Sequence, residues 1–341
     1  MPSWSPLIIA CAFVLAALIT PLTAMIARRA RVLDTPNGER KSHAKPIPLL
    51  GGLAIIFSVA LTTSLVLVTS DHLVSGAIDL KHYLGLGLSL FILSIGGILD
   101  DRFSLRARYS FVFPLAAAIV AVASGIGVDK LTNPLGGWVP VSSLLSAVIT
   151  FCWLLGMTYT TKLLDGVDGL ATSVTTVGAL MIAALAMSTA YFQPDVALLA
   201  LIFAAALIGF LVWNFPPAKI FLGEGGSTAL GFMLGALAVI SGSKFATALL
   251  VLGIPMLDVF IVLIRRVIDQ RPLAQGDRTH LHHLLTDRGW KPWMIVALYS
   301  LCAAGFGLTT LILSSWQKLI ALLVLFALGA CGIIIAGRNA K

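Results

Sequence analysis

What most constrains this chain of 341 residues is a succession of apolar stretches, each about twenty residues long, separated by short polar segments. A helix rises about 1.5 Å per residue, so roughly 20 apolar residues cross the ~30 Å hydrocarbon core of a bilayer. Eleven stretches meet or approach that length: 5–27, 49–69, 82–99, 109–128, 141–158, 169–192, 195–213, 227–242, 245–264, 292–314 and 317–336. The eighth is the weakest, being short and glycine-rich. The pattern predicts an all-α polytopic transmembrane bundle of about 11 spans, with 1–341 forming a single integral membrane domain.

Composition agrees. The chain is 58% hydrophobic and only 11% charged, against about 25% charged in a soluble domain. That excludes an ordinary soluble enzyme. Cys11, Cys152, Cys302 and Cys331 each lie inside an apolar run, and no two form a CxxC pair. They read as small buried apolar residues, with neither a zinc site nor a disulfide framework.

The net charge of +8 would suggest nucleic acid in a soluble protein. Here the basic residues flank apolar spans, so they read as orientation signals, with membrane lipid as the partner and no nucleic acid. The first run has no basic segment before it and is followed by Arg28, Arg29 and Arg31. This predicts a retained first span with its amino end outside. On that footing only Lys81, Lys130, Lys244 and Lys318 of the 23 basic residues fall outside, and the other 19 fall inside. The carboxyl end is then cytoplasmic. Asp34, Asp100, Asp101, Asp165, Asp168, Glu224, Asp269, Asp277 and Asp287 share the inside face, as do His43, His280, His282 and His283. An active site for a soluble charged substrate belongs on that face.

Five polar clusters stand out there. Asp100-Asp101 ends the third span; adjacent helical residues point about 100° apart, which suits two distinct roles. Asp165-Gly-Val-Asp168-Gly places two acids three residues apart, on one face if the segment is helical. Two acids between apolar spans are costly unless paired, solvated or bound to a cation. Phe221-Leu-Gly-Glu-Gly-Gly-Ser227 sets Glu224 in a glycine-rich turn before an apolar helix, where free backbone N–H groups bind phosphate and a carboxylate suits Mg²⁺. Arg278-Thr-His280-Leu-His282-His283 suits a diphosphate or its sugar better than a transition metal, since the other candidate ligands are oxygen donors. The first inside loop carries Asp34, Asn37, Arg40, Lys41, His43 and Lys45. It reads equally as a clamp for a lipid phosphate and as a nonspecific basic strip. Acids, basic residues and glycine turns on one face point to phosphate chemistry with Mg²⁺ at a membrane surface.

In order and spacing, DTPNGERKSHAKPIPLLGG, LDD, DGVDGL, FLGEGGS and HLHH resemble the polyprenyl-phosphate N-acetylhexosamine-1-phosphate transferase family over nearly the whole chain. PLLGG and HLHH look more like the branch that starts O-antigen, common antigen, teichoic acid or capsule than the peptidoglycan branch. The resemblance implies transfer of a sugar-1-phosphate from a UDP-N-acetylhexosamine to undecaprenyl phosphate, releasing UMP. It implies Mg²⁺, with Mn²⁺ as an alternative, in a multi-pass protein of the bacterial inner membrane with a cytoplasmic active site; a homodimer is an admissible assembly. By motif position, Asp100 deprotonates or orients the lipid phosphate and Asp101 supports it or the metal. Asp165 and Asp168 line the site. Glu224, with Asp168 and Asp101, is the metal set. Arg278, His280, His282, His283 and Lys162 hold the donor, and Asn37, Lys41 and His43 belong to substrate binding.

Two departures accompany the match. Where the family has asparagines six and three residues before the first acid of DGxDG, this chain has Tyr159 and Lys162. Where the family has GDxGS, it has Gly223-Glu224-Gly225-Gly226-Ser227. The lysine has three open readings: an i,i+3 pair with Asp165, a ligand for a diphosphate oxygen, or a partial replacement for magnesium. The expectation is altered donor recognition more than lost activity. The competing reading is a catalytically degenerate paralogue serving as a membrane scaffold. A transporter fits less well, because transporters place charge near the midplane and here only Asp258 lies there, expected to pair with an inside-facing cation.

Overall fold

The computed structural model describes residues 5–36, 45–133, 137–189, 191–242, 244–268, 270 and 280–338. It is a helical bundle. α1 (Ser5–Arg29) leads through a two-residue ladder, β1 (Leu33–Asp34) with β2 (Ile47–Pro48), into α2 (Gly51–Thr69). α3 (Leu80–Phe103), the short α4 (Ala107–Ser110) and α5 (Val112–Ala123) follow, then a hairpin of β3 (Lys130–Thr132) and β4 (Trp138–Pro140). α6 (Ser143–Leu164), α7 (Leu170–Met187), α8 (Pro194–Asn214) and α9 (Gly223–Ile240) complete the centre. α10 (Phe245–Val251), α11 (Gly253–Ile268), α12 (Leu281–Asp287), α13 (Pro292–Ile312) and α14 (Ser315–Arg338) close the chain.

Each of the eleven apolar stretches falls on helix, but not all as single straight spans. Among the described residues eight helices are long and apolar enough to cross a membrane, or nine if α10 and α11, bent by 78° at Leu252, form one. The fourth and eleventh stretches give shorter apolar helices, at Ala107–Ala123 and Ser315–Ala330. The eighth, weakest by sequence, begins earlier than expected, at Gly223, and is the most enclosed: 89% of its apolar window is buried. Its glycines and alanines are few in carbon but allow close packing, which drives helix association in lipid.

α9 is therefore the axis, packed against α2, α3, α6 and α7, while α8 joins α7 and α2 to α1. The outer faces of α2 and α3 present Phe57, Leu61, Leu65, Leu84, Leu88 and Phe91 outward, as expected for a polytopic membrane protein whose solvent is lipid. Cysteine burial is less complete than expected: Cys152 is exposed on this apolar exterior, and Cys11 and Cys302 are half-buried. In lipid an outward cysteine costs little, since its side chain is itself apolar.

Backbone approach sets the central packing. A Cβ on Gly226 would lie 2.7 Å from the Cα of Gly52, so α2 and α9 meet at a glycine pair. Gly97 and Gly225 do the same for α3 and α9. Both contacts lie one turn or less from the polar helix ends, and they bring those ends together.

Candidate active site

The carboxyl ends of α3, α6 and α8 and the amino ends of α2, α7 and α9 converge at one end of the bundle. They enclose a cavity of about 470 Å³ whose lining includes Asp34, Asp101, Lys162, Asp165, Asp168, Asn214, Glu224 and Ser227.

Its floor is woven from backbone. Gly51 and Gly52, which open α2, donate N–H bonds to the carbonyls of Phe221 (3.0 Å) and Leu222 (2.8 Å), and Phe221 N–H returns one to Pro48 (2.9 Å). The first N–H groups of α2 would otherwise be orphans of the helix start. PLLGG and FLGEGG, far apart in the chain, are thus one structural unit.

Asp101 joins it. Both its carboxylate oxygens accept from Glu224 N–H, at 3.0 and 3.2 Å, so an acid of α3 caps the amino end of α9. Gly223 makes this feasible: its φ is +74°, and a Cβ there would run into the Asp101 carboxylate. The N–H groups expected to be free for phosphate are accordingly not all free. Asp100 points elsewhere, as the 100° offset predicts. It does not line the cavity, and its Oδ1 is buried without a hydrogen-bond partner among the described residues.

The DGVDG segment is not helical. It is the turn between α6 and α7, with Gly169 at φ +70° leading into α7. Its two acids still face one cavity, brought there by the turn and not by helical spacing. Asp168 Oδ2 accepts from Ala218 N–H at 2.9 Å. Asn214, to which the sequence drew no attention, secures the same loop: it accepts from the Thr172 hydroxyl (2.9 Å) and donates to the Ile220 carbonyl (3.0 Å). Asp165 is different, with no carboxylate partner among the described residues. Burial pushes its carboxyl well above the ordinary carboxylate range, and the charges of Asp168, Asp101 and Glu224 push it further.

Lys162 reaches across to α9. Its Nζ stands 2.5 Å from Glu224 Oε1, so the partner is not Asp165, the i,i+3 neighbour. Glu224 therefore begins α9 with its carboxylate already engaged. The residues fit a divalent cation in part. Among the described residues five acids and one lysine line the cavity, a negative excess, yet no three acids, histidines or cysteines stand as a ready cage. Of the expected metal set, Asp101 and Glu224 are engaged elsewhere. Of that set the second oxygen of Asp168 remains, with Asp165 beside it in the cavity lining, and Mg²⁺ is commonly held by one or two carboxylates with substrate phosphates completing its shell.

The histidines border this site. His282 is buried, with neither ring nitrogen hydrogen-bonded among the described residues. Its ring packs against Gly166, where a Cβ would also come within 3.0 Å of His283 Cε1. Burial drives the His282 imidazole well below its ordinary value, and His283 and His280 add to this, so it is neutral. His280 turns away from the cavity: its Nδ1 meets Asp258 Oδ2 at 2.9 Å, and Asp258 Oδ1 accepts from Leu281 N–H at 3.0 Å. The intramembrane acid thus has a histidine and a backbone amide for partners, and it ties α12 to α11. Asn37, Lys41, His43 and Arg278 lie outside the described residues.

Comparison with known proteins agrees with this geometry. The profile of glycosyl transferase family 4 matches residues 83–242, the stretch from α3 through α9 that builds most of the cavity. A probable undecaprenyl-phosphate N-acetylglucosaminyl 1-phosphate transferase of Bacillus subtilis (strain 168) is 31% identical over 323 residues, 91% of this chain and 85% of its own. An undecaprenyl-phosphate alpha-N-acetylglucosaminyl 1-phosphate transferase of Thermotoga maritima is 27% identical over 85% of this chain and 86% of its own. A phospho-N-acetylmuramoyl-pentapeptide-transferase of Staphylococcus carnosus is 26% identical over 89% and 96%. Likeness of this extent makes the chain a member of the polyprenyl-phosphate sugar-1-phosphate transferases of glycosyl transferase family 4.

Proposed function

We propose that this protein transfers an N-acetylhexosamine-1-phosphate from a UDP-sugar to undecaprenyl phosphate, releasing UMP, at the cytoplasmic face of the bacterial inner membrane. The observation that carries the reading is the convergence of LDD, DGVDG, FLGEGG and the first-loop PLLGG on one acid-lined cavity at a single end of the bundle. A soluble charged donor reaches such a site from the aqueous side, while a lipid phosphate reaches it from the bilayer.

In this reaction a lipid phosphate oxygen attacks the β-phosphorus of the donor. The bond from that phosphorus to the bridging oxygen breaks, and UMP leaves with the electron pair. A divalent cation, when bound, neutralises the diphosphate and the charge that develops in transfer. Asp168, through its second oxygen, is the residue that would hold it, with substrate phosphates completing its shell. Asp165, with its raised affinity for a proton, suits taking a proton from the acceptor phosphate. The buried, neutral His282 packs behind Gly166, which lines the cavity, and so supports the DGVDG turn, while the adjacent, less buried His283 is the histidine proposed to meet the donor's phosphates or sugar. Asn37, Lys41, His43 and Arg278, outside the described residues, are assigned to substrate binding from their motifs alone.

The test is transfer of radiolabel from a panel of UDP-N-acetylhexosamines to undecaprenyl phosphate, by purified detergent-solubilised protein with Mg²⁺, with Mn²⁺ and with EDTA. The expected result is metal-dependent label in the lipid and a matching release of UMP. Folded protein that labels lipid from no donor would be the scaffold of the competing reading.

A further inference from the structure

The three positions at which this chain departs from the family pattern meet at Lys162. Tyr159 and Lys162 lie one turn apart at the end of α6, and Glu224 lies in the first turn of α9, 62 residues further along. The Lys162 ammonium meets Glu224 Oε1 at 2.5 Å and stands 5.6 Å from the centre of the Tyr159 ring. Tyr159 is itself held by stacking on Phe111, with centroids 5.9 Å apart. Each charge sits at the helix end whose dipole suits it, the cation at a carboxyl end and the anion at an amino end. The α6–α9 seam that sets the distance is firm: Thr161 donates to the Ser227 carbonyl at 2.8 Å and Trp153 to that of Gly235 at 3.1 Å. Independent decay of an abandoned site gives no reason for a new cation to arrive opposite a lengthened anion, with an aromatic face beneath it.

We propose that Tyr159, Lys162 and Glu224 act as one unit, in which Glu224 is the counter-ion of Lys162 and not a metal ligand, and the ammonium is a built-in cation for the donor's diphosphate. Lys162 is placed for this. It lines the cavity beside Asp101, Asp165 and Asp168, and its side chain remains 28% exposed while that of Glu224 is 15% exposed. An ammonium has three donors, so holding Glu224 leaves two for a phosphate. Glutamate reaches one methylene further than aspartate, toward the lysine and away from the backbone of α9. The ligand named here rests on the functional reading above, whereas the coupling of the three residues does not.

The test compares wild-type protein in detergent with Lys162→Asn, Glu224→Asp, the double variant and Lys162→Arg. Without nucleotide or metal, each single change to Asn or Asp lowers the unfolding temperature, and the double variant loses less than the two together. Additive losses overturn the unit. With EDTA present, wild type and Lys162→Arg bind UDP, and Lys162→Asn binds it about tenfold or more weakly, as expected when a charge-assisted contact is lost. Equal metal-free UDP affinity in wild type and folded Lys162→Asn overturns the phosphate role. Mn²⁺ titration followed by paramagnetic resonance reports on Glu224: the double variant binds Mn²⁺ more tightly than wild type, and equal binding overturns the counter-ion assignment. If the residues are coupled in stability but wild type transfers no sugar phosphate from any donor, the functional reading fails and the unit stands.

Discussion

Two aspartates of the same cavity carry opposite stability signatures at the residue scale. Asp101 spends its carboxylate on the amino end of α9, so it supports the fold as well as the site. Asp165 has no such partner, and its surroundings disfavour its charge. Asp101→Ala is expected to cost about 0.5–2 kcal/mol, the usual loss on removing a helix cap, and to lower activity through a displaced Glu224. Asp165→Asn is expected to abolish most transfer, by about a hundredfold or more for a lost acid–base group, while leaving the unfolding temperature unchanged or raised. Relief of a strained functional charge often stabilises. Thermal unfolding beside transfer rates checks both. A marked fall in the stability of Asp165→Asn would mean that the carboxylate has a structural partner. Asp100, given the acceptor phosphate by motif position, is not among the residues that line the cavity, whereas Asp165 is.

The element scale is governed by how closely helices approach. The glycine pairs Gly52–Gly226 and Gly97–Gly225 let α2 and α3 lie against α9 at backbone distance. That approach carries Asp101 to Glu224 N–H and the PLLGG amides to the carbonyls of 221 and 222. Gly97→Ala places a methyl where the Gly225 backbone already is. It is expected to cost about 1–3 kcal/mol in overpacking and to reduce activity beyond what that destabilisation explains, because the Asp101 cap is pulled off α9. Measuring unfolding and transfer together separates the two effects. Full activity in Gly97→Ala would show that the seam is not what sets the site. On the other side of the cavity, Asp258 holds α12 to α11 through His280 and Leu281 N–H. The histidine segment is therefore anchored from within the bundle.

At the scale of the whole molecule the question is sidedness. The cavity lies at the helix ends where basic residues concentrate, such as Arg102, Arg106, Arg108, Lys162 and Lys219, and under the positive-inside rule the proposed function requires that end to face the cytoplasm. In a background without the native cysteines, Ser104→Cys is expected to react with a membrane-impermeant maleimide only after permeabilisation. Ser75→Cys, in the exposed connection at the opposite helix ends, is expected to react in intact cells. The reverse pattern would put the cavity on the outer face and exclude a cytoplasmic donor.

Local pattern was enough for much of this protein. Continuous apolar runs of spanning length mark the helices, because lipid leaves a backbone no other partner for its polar groups, and the short acidic and glycine motifs between them mark which ends carry chemistry. Those features depend on neighbours within a turn or two. The break between α10 and α11, the early start of α9 and the true partners of the charged residues depend on contacts between remote segments. Lys162 has Asp165 three residues away, yet it pairs with Glu224 across 62 residues, because glycine and threonine contacts fix where α6 crosses α9. Asp101 and Asp165 look alike as acids in polar motifs; only packing makes one a helix cap and leaves the other without a carboxylate partner among the described residues. The sequence by itself determined the membrane-spanning class, the face that carries the acids and the inventory of reactive groups. Tertiary structure alone decided which of those groups are bound to one another and which stay open to a substrate, since a side chain's free valence is set by what the fold brings within about 3 Å of it.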